Sequence, residues 1–220
     1  MVYLRRMSRL FAARRARVFL ALLVILLLVV TTIGAARHAT LRALGGLLIV
    51  NDPIARADIG VMTESGEAGE LELSDLYRDR VIPRVMVLIP TPTSADQELV
   101  GRGVYREDQT LATLVQLGIP PDAIVTVDAG EGGTTESTQA LAAWVTSHPA
   151  RVLVVVSPTH SRRYRRTLQR VWPADVPRPI VRYPRANPFH AEDWWVARRT
   201  RRDGILELEK LVWDYLQHPW

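Results

Sequence analysis

The feature that most constrains the fold is a short, unbroken apolar run in the second half of the chain. Residues 152–156 read Val-Leu-Val-Val-Val. A run of this length, rich in β-branched residues, predicts a central strand buried on both faces, as strands of parallel sheets are. The strand must end at Ser157 and Pro158, because proline has no N–H group to donate to a neighbouring strand. A polar, basic helix is predicted to follow from residue 159 or 160.

Strand and helix patterns alternate along the rest of the chain. Short strands are predicted at residues 47–50, 57–62, 85–89, 123–127 and, at an edge, 180–182. Helices are predicted at residues 71–77, 107–117, 134–147 and 205–216. The alternation predicts a three-layer α/β domain with a mostly parallel, Rossmann-like open sheet and right-handed crossovers. The last helix repeats apolar residues at helical spacing and is expected to close the domain as an amphipathic helix.

A long uncharged stretch at residues 18–36 predicts a membrane anchor. A helix of this length spans roughly 28 Å, enough for the hydrocarbon core of a bilayer. Six arginines and no acidic residue precede the stretch. The amino terminus is therefore expected to stay in the cytoplasm, while the rest of the chain crosses the inner membrane.

These features divide the chain into four predicted segments. They are a basic cytoplasmic amino terminus, a single-pass signal-anchor helix, a linker and an extracytoplasmic α/β domain, at residues 1–17, 18–36, 37–46 and 47–220. The alternative is a cleaved signal peptide with its cleavage site near residues 34–36. Arg37 follows these small residues directly and the apolar stretch is long, which favours the uncleaved anchor.

Composition narrows the classes of function. The chain has no cysteine, which excludes disulfides and thiolate chemistry. Its net charge of +5 comes from the amino-terminal arginines, because residues 37–220 carry 22 basic and 23 acidic side chains. A nucleic-acid-binding protein would keep a basic excess on its folded domain, so no nucleic acid is expected as a partner.

The charges also segregate along the chain. Residues 51–136 hold sixteen acidic residues against six arginines, whereas residues 151–202 hold thirteen arginines against three acidic residues. Charge runs are usually solvated faces, so one interpretation is that the two segments face and neutralise each other. The other is that a basic pocket rim lies beside an acidic one.

The end of the strand at residues 152–156 is the predicted site. Ser157, His160 and Arg163 lie at its carboxyl end and in the first turn of the next helix. Ligands of open parallel sheets bind at that edge, and a helix amino terminus favours an anion. A glycine-rich loop lies at residues 128–135, and Thr134 or Thr135 at its end can cap the following helix.

Each candidate side chain has a functional and a structural interpretation. His160 is interpreted as a catalytic base, a phosphate donor or a metal ligand, or else as a supporting residue at a helix start. Arg163 would hold a phosphate or carboxylate, or form a salt bridge to the acidic segment. Glu136 is predicted to be catalytic, or else to favour a helix amino terminus. Ser137 and Glu107, which follows the long polar loop at residues 91–103, are predicted ligand contacts; the alternative for Glu107 is a solvated helix face.

Several motifs of known chemistry do not occur. The sequence has neither a phosphate-binding Gly-x-x-x-x-Gly-Lys loop nor a Gly-x-Gly-x-x-Gly turn. Its five histidines never fall in a metal-ligand spacing, so no metal is predicted, and the cofactor stays unknown. Ser157 lacks the flanking glycines of a serine hydrolase. Three aromatic residues near the carboxyl terminus have two interpretations: Phe189, Trp194 and Trp195. They form a membrane-proximal or substrate-stacking patch, or they belong to the core or to a lid.

The order of these motifs along the chain resembles that of the DUF218 family of envelope-associated proteins, the YdcF-like group. The resemblance covers roughly residues 47–218. Its most specific parts are Thr134-Thr-Glu136-Ser137 and the Ser157-x-x-His160-x-x-Arg163 element.

The chain departs from the family at three loops. Gly133 and Ser137 stand where asparagines are usual, and residues 63–66 and 89–92 stand where glycine clusters are usual. The resemblance implies an extracytoplasmic domain connected with cell-envelope or peptidoglycan-precursor metabolism.

Two functions remain, from different classes. One is an anchored protein with a pocket for an anionic, phosphate-bearing small molecule or lipid-linked precursor, with hydrolase or transferase activity left open. The other is a non-catalytic envelope factor that binds proteins of cell-wall synthesis. The second would depend on the surface at residues 198–202 or on the anchor rather than on the pocket.

Overall fold

The computed structural model describes residues 2–63, 65–104, 109–130 and 133–219; side chains are described from residue 20 onward, except at 21, 27, 30 and 31. The chain forms two units, Met1–Ala43 and Leu44–Trp220. Helix α1, Val2–Leu48, makes up the first unit and contributes its last turn to the second. The predicted linker at residues 37–46 is therefore helical.

Within the described residues, no helix has the combination of length and sustained hydropathy that crossing a membrane requires. The predicted anchor at residues 18–36 falls partly on positions whose side chains lie outside the described set. The membrane-spanning segment therefore stays a prediction.

Five parallel strands form one sheet in the second unit. They are β1 Ile59–Met62, β2 Val85–Ile89, β3 Ile124–Asp128, β4 Val152–Val155 and β5 Ile180–Arg182, in the order β3-β2-β1-β4-β5. Val61 pairs with Met86 on one side and Val154 on the other. The predicted α/β class and its parallel sheet are confirmed.

One predicted strand is wrong. Residues 47 and 48 end helix α1, and residues 49 and 50 are not in a strand. The backbone of Val50 instead donates to the Ser161 hydroxyl at 2.7 Å. The next residues reach the sheet edge, where the Asp52 N–H donates to the Val181 carbonyl oxygen and the Asp52 carboxylate accepts the Val181 N–H.

Helices cover both faces of the sheet. The helices after α1 are α2 Gly66–Arg78, α3 Ser94–Gly101, α4 Gln109–Gln116, α5 Thr134–Ser147, α6 Ser161–Val171 and α7 Arg198–Gln217. Leu73 of α2 and Leu114 of α4 pack with Val155 on one face. Leu141 of α5 and Leu168 of α6 pack with Val154 on the other. From β1 the chain adds β2 and β3 on one side of the sheet, and it then returns to add β4 and β5 on the other side. The direction of winding therefore reverses between β1 and β4.

Helix α3 lies inside the segment predicted to be a loop, residues 91–103. Thr93 and Asp96 form a capping box: the Asp96 N–H donates to the Thr93 hydroxyl, and the Asp96 carboxylate accepts the Thr93 N–H. This Thr-x-x-Asp spacing is itself a signal of a helix start, and the sequence interpretation missed it.

Helix α7 is turned differently from the prediction. Its apolar residues Ile205, Val212 and Leu216 are exposed, whereas the buried side includes Glu207 and Asp214. The reason is helix α6, which presents Arg163, Arg166 and Arg170 to α7. Arg166 and Arg170 donate to the Asp214 carboxylate at 2.6 and 2.8 Å. Burying the carboxylates against these arginines gives the charged groups of both helices their partners. Of the predicted apolar stripe of α7, Leu211 is buried, while Ile205, Val212 and Leu216 stay exposed.

Two of the aromatic residues near the carboxyl terminus, Phe189 and Trp194, are part of the core. Trp194 and Phe189 are buried. A methyl group added at Gly45 or Gly204 would lie 2.7 or 2.5 Å from atoms of the Trp194 ring. Glycine at both positions therefore lets α1 and α7 approach the indole. The core interpretation is confirmed for Phe189 and Trp194, whereas Trp195 is only half-buried.

Candidate functional site

A crevice opens at the carboxyl edge of the sheet, between the loops that follow β1 and β4. Ligands of open α/β sheets bind at this position, because the two loops lead to helices on opposite faces and leave a gap. The crevice has a volume of about 400 Å³, within the range of small-molecule sites. Its walls are the start of α2, the turn after β4, residues 186–189 and the start of α7.

The first turn of α2 forms one wall of the crevice. Gly66 has a φ of 56°, a left-handed conformation that favours glycine. The Ser65 hydroxyl donates to the Thr63 carbonyl oxygen at 2.8 Å and does not cap the helix. Ser65 therefore leaves the first N–H groups of α2 without a side-chain cap from the N-cap position, which suits this turn to an anionic group.

Hydroxyl groups form the opposite wall. Ser157 follows β4, and Pro158–His160 is a single turn of 3₁₀ helix. The Ser157 and Thr159 hydroxyl oxygens lie 3.1 Å apart, and both residues line the crevice.

Three charged side chains complete the lining. Arg199 contributes a guanidinium, while Glu67 and Asp203 contribute carboxylates. No described residue accepts a hydrogen bond from the Arg199 guanidinium. The Asp203 carboxylate accepts from Arg202 at 3.0 Å. The crevice therefore offers one cationic group and two acceptors for hydroxyl or amino groups.

His160 ends the 3₁₀ turn and is 3% exposed. Its Nδ1 lies 3.2 Å from Oε2 of Glu207, and its Nε2 lies 3.3 Å from the hydroxyl of Thr134. The ring of Tyr164 packs edge-on against the imidazole, with centroids 5.7 Å apart. The imidazole thus joins the turn after β4 to the start of α5 and to α7.

Glu207 is the centre of this buried polar cluster. Besides His160, it accepts hydrogen bonds from Arg163 at 3.1 Å and from Lys210 at 2.7 Å. Burial alone would raise the pKa of Glu207, but the hydrogen bonds from His160, Lys210 and Arg163 hold that pKa well below the usual carboxyl range. The carboxylate is therefore ionised throughout the physiological range.

Lowering the pH below about 4 is expected to destabilise the domain. The pKa of Asp214 is also lowered: burial opposes this, and the hydrogen bonds from Arg166 and Arg170 outweigh it. Since the folded pKa values lie below the unfolded ones, the unfolded chain binds more protons as the pH falls. The stability is complete above the unfolded carboxyl pKa and is lost below it. The urea midpoint measured between about pH 7 and pH 3 should fall with pH, and a Glu207→Gln variant should show a shallower fall. A flat profile would contradict this electrostatic arrangement.

The predicted site residues fall into three groups. Thr134, His160 and Arg163 come together, and Arg163 also donates to the Thr134 hydroxyl at 3.3 Å. Ser157 instead lines the crevice. Arg163 does pair with a carboxylate, but that carboxylate is Glu207 of α7 rather than one from the acidic segment.

Of the remaining predicted residues, Glu136 and Ser137 are not in the buried cluster. Glu136 is exposed and its side chain folds over Gly133 and Gly130. The Ser137 hydroxyl donates to the Thr134 carbonyl oxygen within the first turn of α5. Glu107 lies outside the described residues. The catalytic and binding roles predicted for these residues stay predictions.

The sequence interpretation missed Glu207 and Arg199. A signal for Glu207 exists: Arg163, Arg166 and Arg170 repeat at helical spacing, and Glu207 and Asp214 do the same on the last helix. Two such stripes of opposite charge predict that the helices pack together. Arg199 has no comparable signal, because it lies in a run of arginines and only the fold brings it to the crevice.

Some arginines of the basic segment, residues 151–202, pair with carboxylates of the acidic segment, residues 51–136. Arg185 donates to Glu72 at 3.2 Å, and Arg165 pairs with Asp52. Among the described residues, no three side chains of the metal-binding types are grouped as ligands of one ion.

The fold and the crevice define a doubly wound α/β domain with a polar opening at the point where its winding reverses. A scan against protein-family models finds no match to the chain, and a search of curated proteins finds none either.

Proposed function

We propose that the domain binds a small, phosphate-bearing metabolite in the crevice between β1 and β4. The observation that carries this proposal is the position of the crevice at the reversal of winding, next to a helix start that its N-cap residue, Ser65, does not cap. Its volume of about 400 Å³ suits a compact polar molecule or the head of a lipid-linked precursor rather than a long chain.

Different polar groups of the crevice bind different parts of the ligand. The N–H groups at the start of α2 and the Arg199 guanidinium hold the phosphate. Glu67 and Asp203 accept hydrogen bonds from hydroxyl groups on the body of the ligand, and Ser157 and Thr159 can donate or accept. This mixture favours a ligand with one anionic group and several hydroxyls over a polyanion.

His160 acts on this site as a positioning residue. Its ring nitrogens face Glu207 and Thr134, and its side chain is almost fully buried. By fixing the end of the turn after β4, the imidazole fixes the hydroxyls of Ser157 and Thr159. We propose that any hydrolysis or group transfer takes place at the crevice, with Glu67 or Asp203 as the acid or base.

The proposed setting is the cell envelope. The uncharged stretch at residues 18–36 and the arginines before it favour a single-pass anchor with the domain outside the cytoplasm. The resemblance to the DUF218 family points to the same compartment and to precursor metabolism. Of two reporter enzymes fused after residue 219, one active only in the periplasm and one active only in the cytoplasm, we expect activity from the periplasmic reporter alone. Activity of the cytoplasmic reporter would contradict this topology.

Stabilisation by sugar phosphates and nucleotides tests the proposal. The full chain in a neutral detergent is heated with each compound. A true ligand at one hundred times its dissociation constant should add about 2.7 kcal/mol of stability. Arg199→Gln should remove most of this stabilisation and leave the melting temperature of the free protein unchanged, because Arg199 is exposed and has no described partner.

The neighbouring arginine provides the control. Arg198 is also exposed at the start of α7 but does not line the crevice. Arg198→Gln should therefore keep the stabilisation. An equal loss in both variants, or stabilisation that neither variant changes, would exclude the crevice as the binding site.

One observation favours the alternative function, a non-catalytic factor that binds cell-wall synthesis proteins. Helix α7 exposes Ile205, Val212, Trp213 and Leu216, and exposed apolar patches of soluble domains are often interaction sites. Cross-linking from this face to a cell-wall synthesis protein, together with no effect of the crevice substitution Glu67→Gln on function, would favour this alternative.

A further inference from the structure

The amino edge of the sheet, opposite the crevice, carries a second pocket. It is open to solvent and has a volume of about 970 Å³. Its lining comes from the residues that precede β1, β2, β4 and β5 and from the end of α2. Because this pocket shares no residue with the crevice, a ligand bound here is independent of the proposed function.

Four arginines line this pocket: Arg56, Arg78, Arg80 and Arg151. Arg78 is paired with Asp75. Within the described part of the chain, the side chains of the other three have no hydrogen-bond or ion-pair partner. One carboxylate, Asp58, lies in the same lining. Its carboxylate accepts the backbone N–H of Arg151 at 2.7 Å. A single carboxylate neutralises only part of the positive charge of four arginines.

Arg80 occupies an unusual backbone position. It follows the end of α2 with a φ of 57° and is the only described residue other than glycine with a positive φ. Its N–H donates to the Tyr77 carbonyl oxygen, and the Val81 N–H donates to the Leu76 carbonyl oxygen at 2.9 Å. Glycine is the usual residue at such a helix end, because a side chain is disfavoured there. The backbone conformation of Arg80 therefore costs conformational free energy, and a binding role in the pocket would explain why arginine is kept there.

The walls between the arginines are largely apolar. Tyr77 is half-buried beside them, and Pro83, Pro149 and Pro177 lie around the pocket. Prolines and a tyrosine present rigid surfaces for the carbon skeleton of a ligand at little cost in conformational entropy.

We propose that this pocket binds a small organic anion with at least two phosphate or carboxylate groups. Guanidinium groups bind both kinds of group through paired hydrogen bonds. Three cations without partners around one concave surface match several anionic groups on one molecule better than a single charge. In the crevice, one arginine faces two carboxylates, so acidic side chains outnumber basic ones. Because the charge of the two sites differs, they select different ligands.

Calorimetric titration of the full chain in a neutral detergent tests this site. The probes are tripolyphosphate and citrate, and their relative affinities show whether phosphate or carboxylate is preferred. Binding of either probe is expected, and it should weaken as salt is raised. Arg80→Gly should lower the affinity by about 10-fold or more, the effect of losing one charge-assisted contact.

Arg80→Gly also separates binding from folding. Because glycine suits the left-handed conformation, this variant should melt at the same temperature as the wild type or higher. Arg151→Gln should also lower the affinity, whereas Arg198→Gln, on α7, should not. Absence of binding for both probes, or equal losses in Arg80→Gly and Arg198→Gln, would overturn the proposal.

Discussion

Replacing Glu207 by alanine is expected to lower the free energy of unfolding by about 3–5 kcal/mol. The change removes the acceptor shared by His160, Arg163 and Lys210. Arg163 would then lie in a largely buried position with the Thr134 hydroxyl as its remaining described partner. An uncompensated buried cation is among the largest penalties that a single substitution produces.

Glu209 is the matched control for this variant. It lies on the same helix but is exposed, so Glu209→Ala should change the stability by no more than about 0.5 kcal/mol. Urea unfolding of the full chain in a neutral detergent gives both values. Similar effects of the two substitutions would show that Glu207 is not a buried acceptor.

Trp194→Ala is expected to cost about 3–5 kcal/mol. The indole is buried between Gly45 and Gly204, and both glycines approach its ring too closely for a methyl group to replace a hydrogen. Neither glycine has a side chain that could fill the cavity left by the indole. The structure can therefore recover little of the lost packing.

Trp195 provides the comparison. It is only half-buried, and its ring meets that of Trp194 edge-on with centroids 6.2 Å apart. Trp195→Ala should cost clearly less than Trp194→Ala in the same urea unfolding experiment. The opposite order would mean that Trp195, not Trp194, anchors the carboxyl-terminal segment.

The sheet could be predicted from the sequence because its strands carry strong local signals. Parallel strands buried on both faces must be apolar throughout, and β2 and β4 are. Even the short edge strand β5 is recognisable, since prolines bound it on both sides. The error at residues 47–50 has a physical reason: a short apolar run fits the end of a helix as well as a strand.

The orientation of α7 could not be predicted from its own residues. Its apolar pattern indicates an inward face, but the helix packs against the arginines of α6 and buries Glu207 and Asp214. Periodicity within one helix does not show which neighbour the helix meets. Only the complementary charge stripes of the two helices contain that information.

The candidate site was predictable in its position and less so in its composition. The edge of the sheet, and the proximity of Thr134, His160 and Arg163, follow from where strands end. The walls of the crevice come from residues far apart in sequence, such as Ser65 and Arg199. Loops that meet only in three dimensions leave no spacing that a sequence pattern could reveal.

Hydrogen–deuterium exchange with a bound ligand tests most directly whether the crevice is the metabolite site. The full chain would be compared with and without the most stabilising sugar phosphate or nucleotide. We expect slower exchange at residues 65–69 and 157–161, where the amides face the crevice or support its walls. Residues 77–83 and 149–151, at the opposite edge, should be unchanged. Protection confined to that opposite edge, or no protection at residues 65–69 with a ligand that does bind, would contradict the assignment of the crevice.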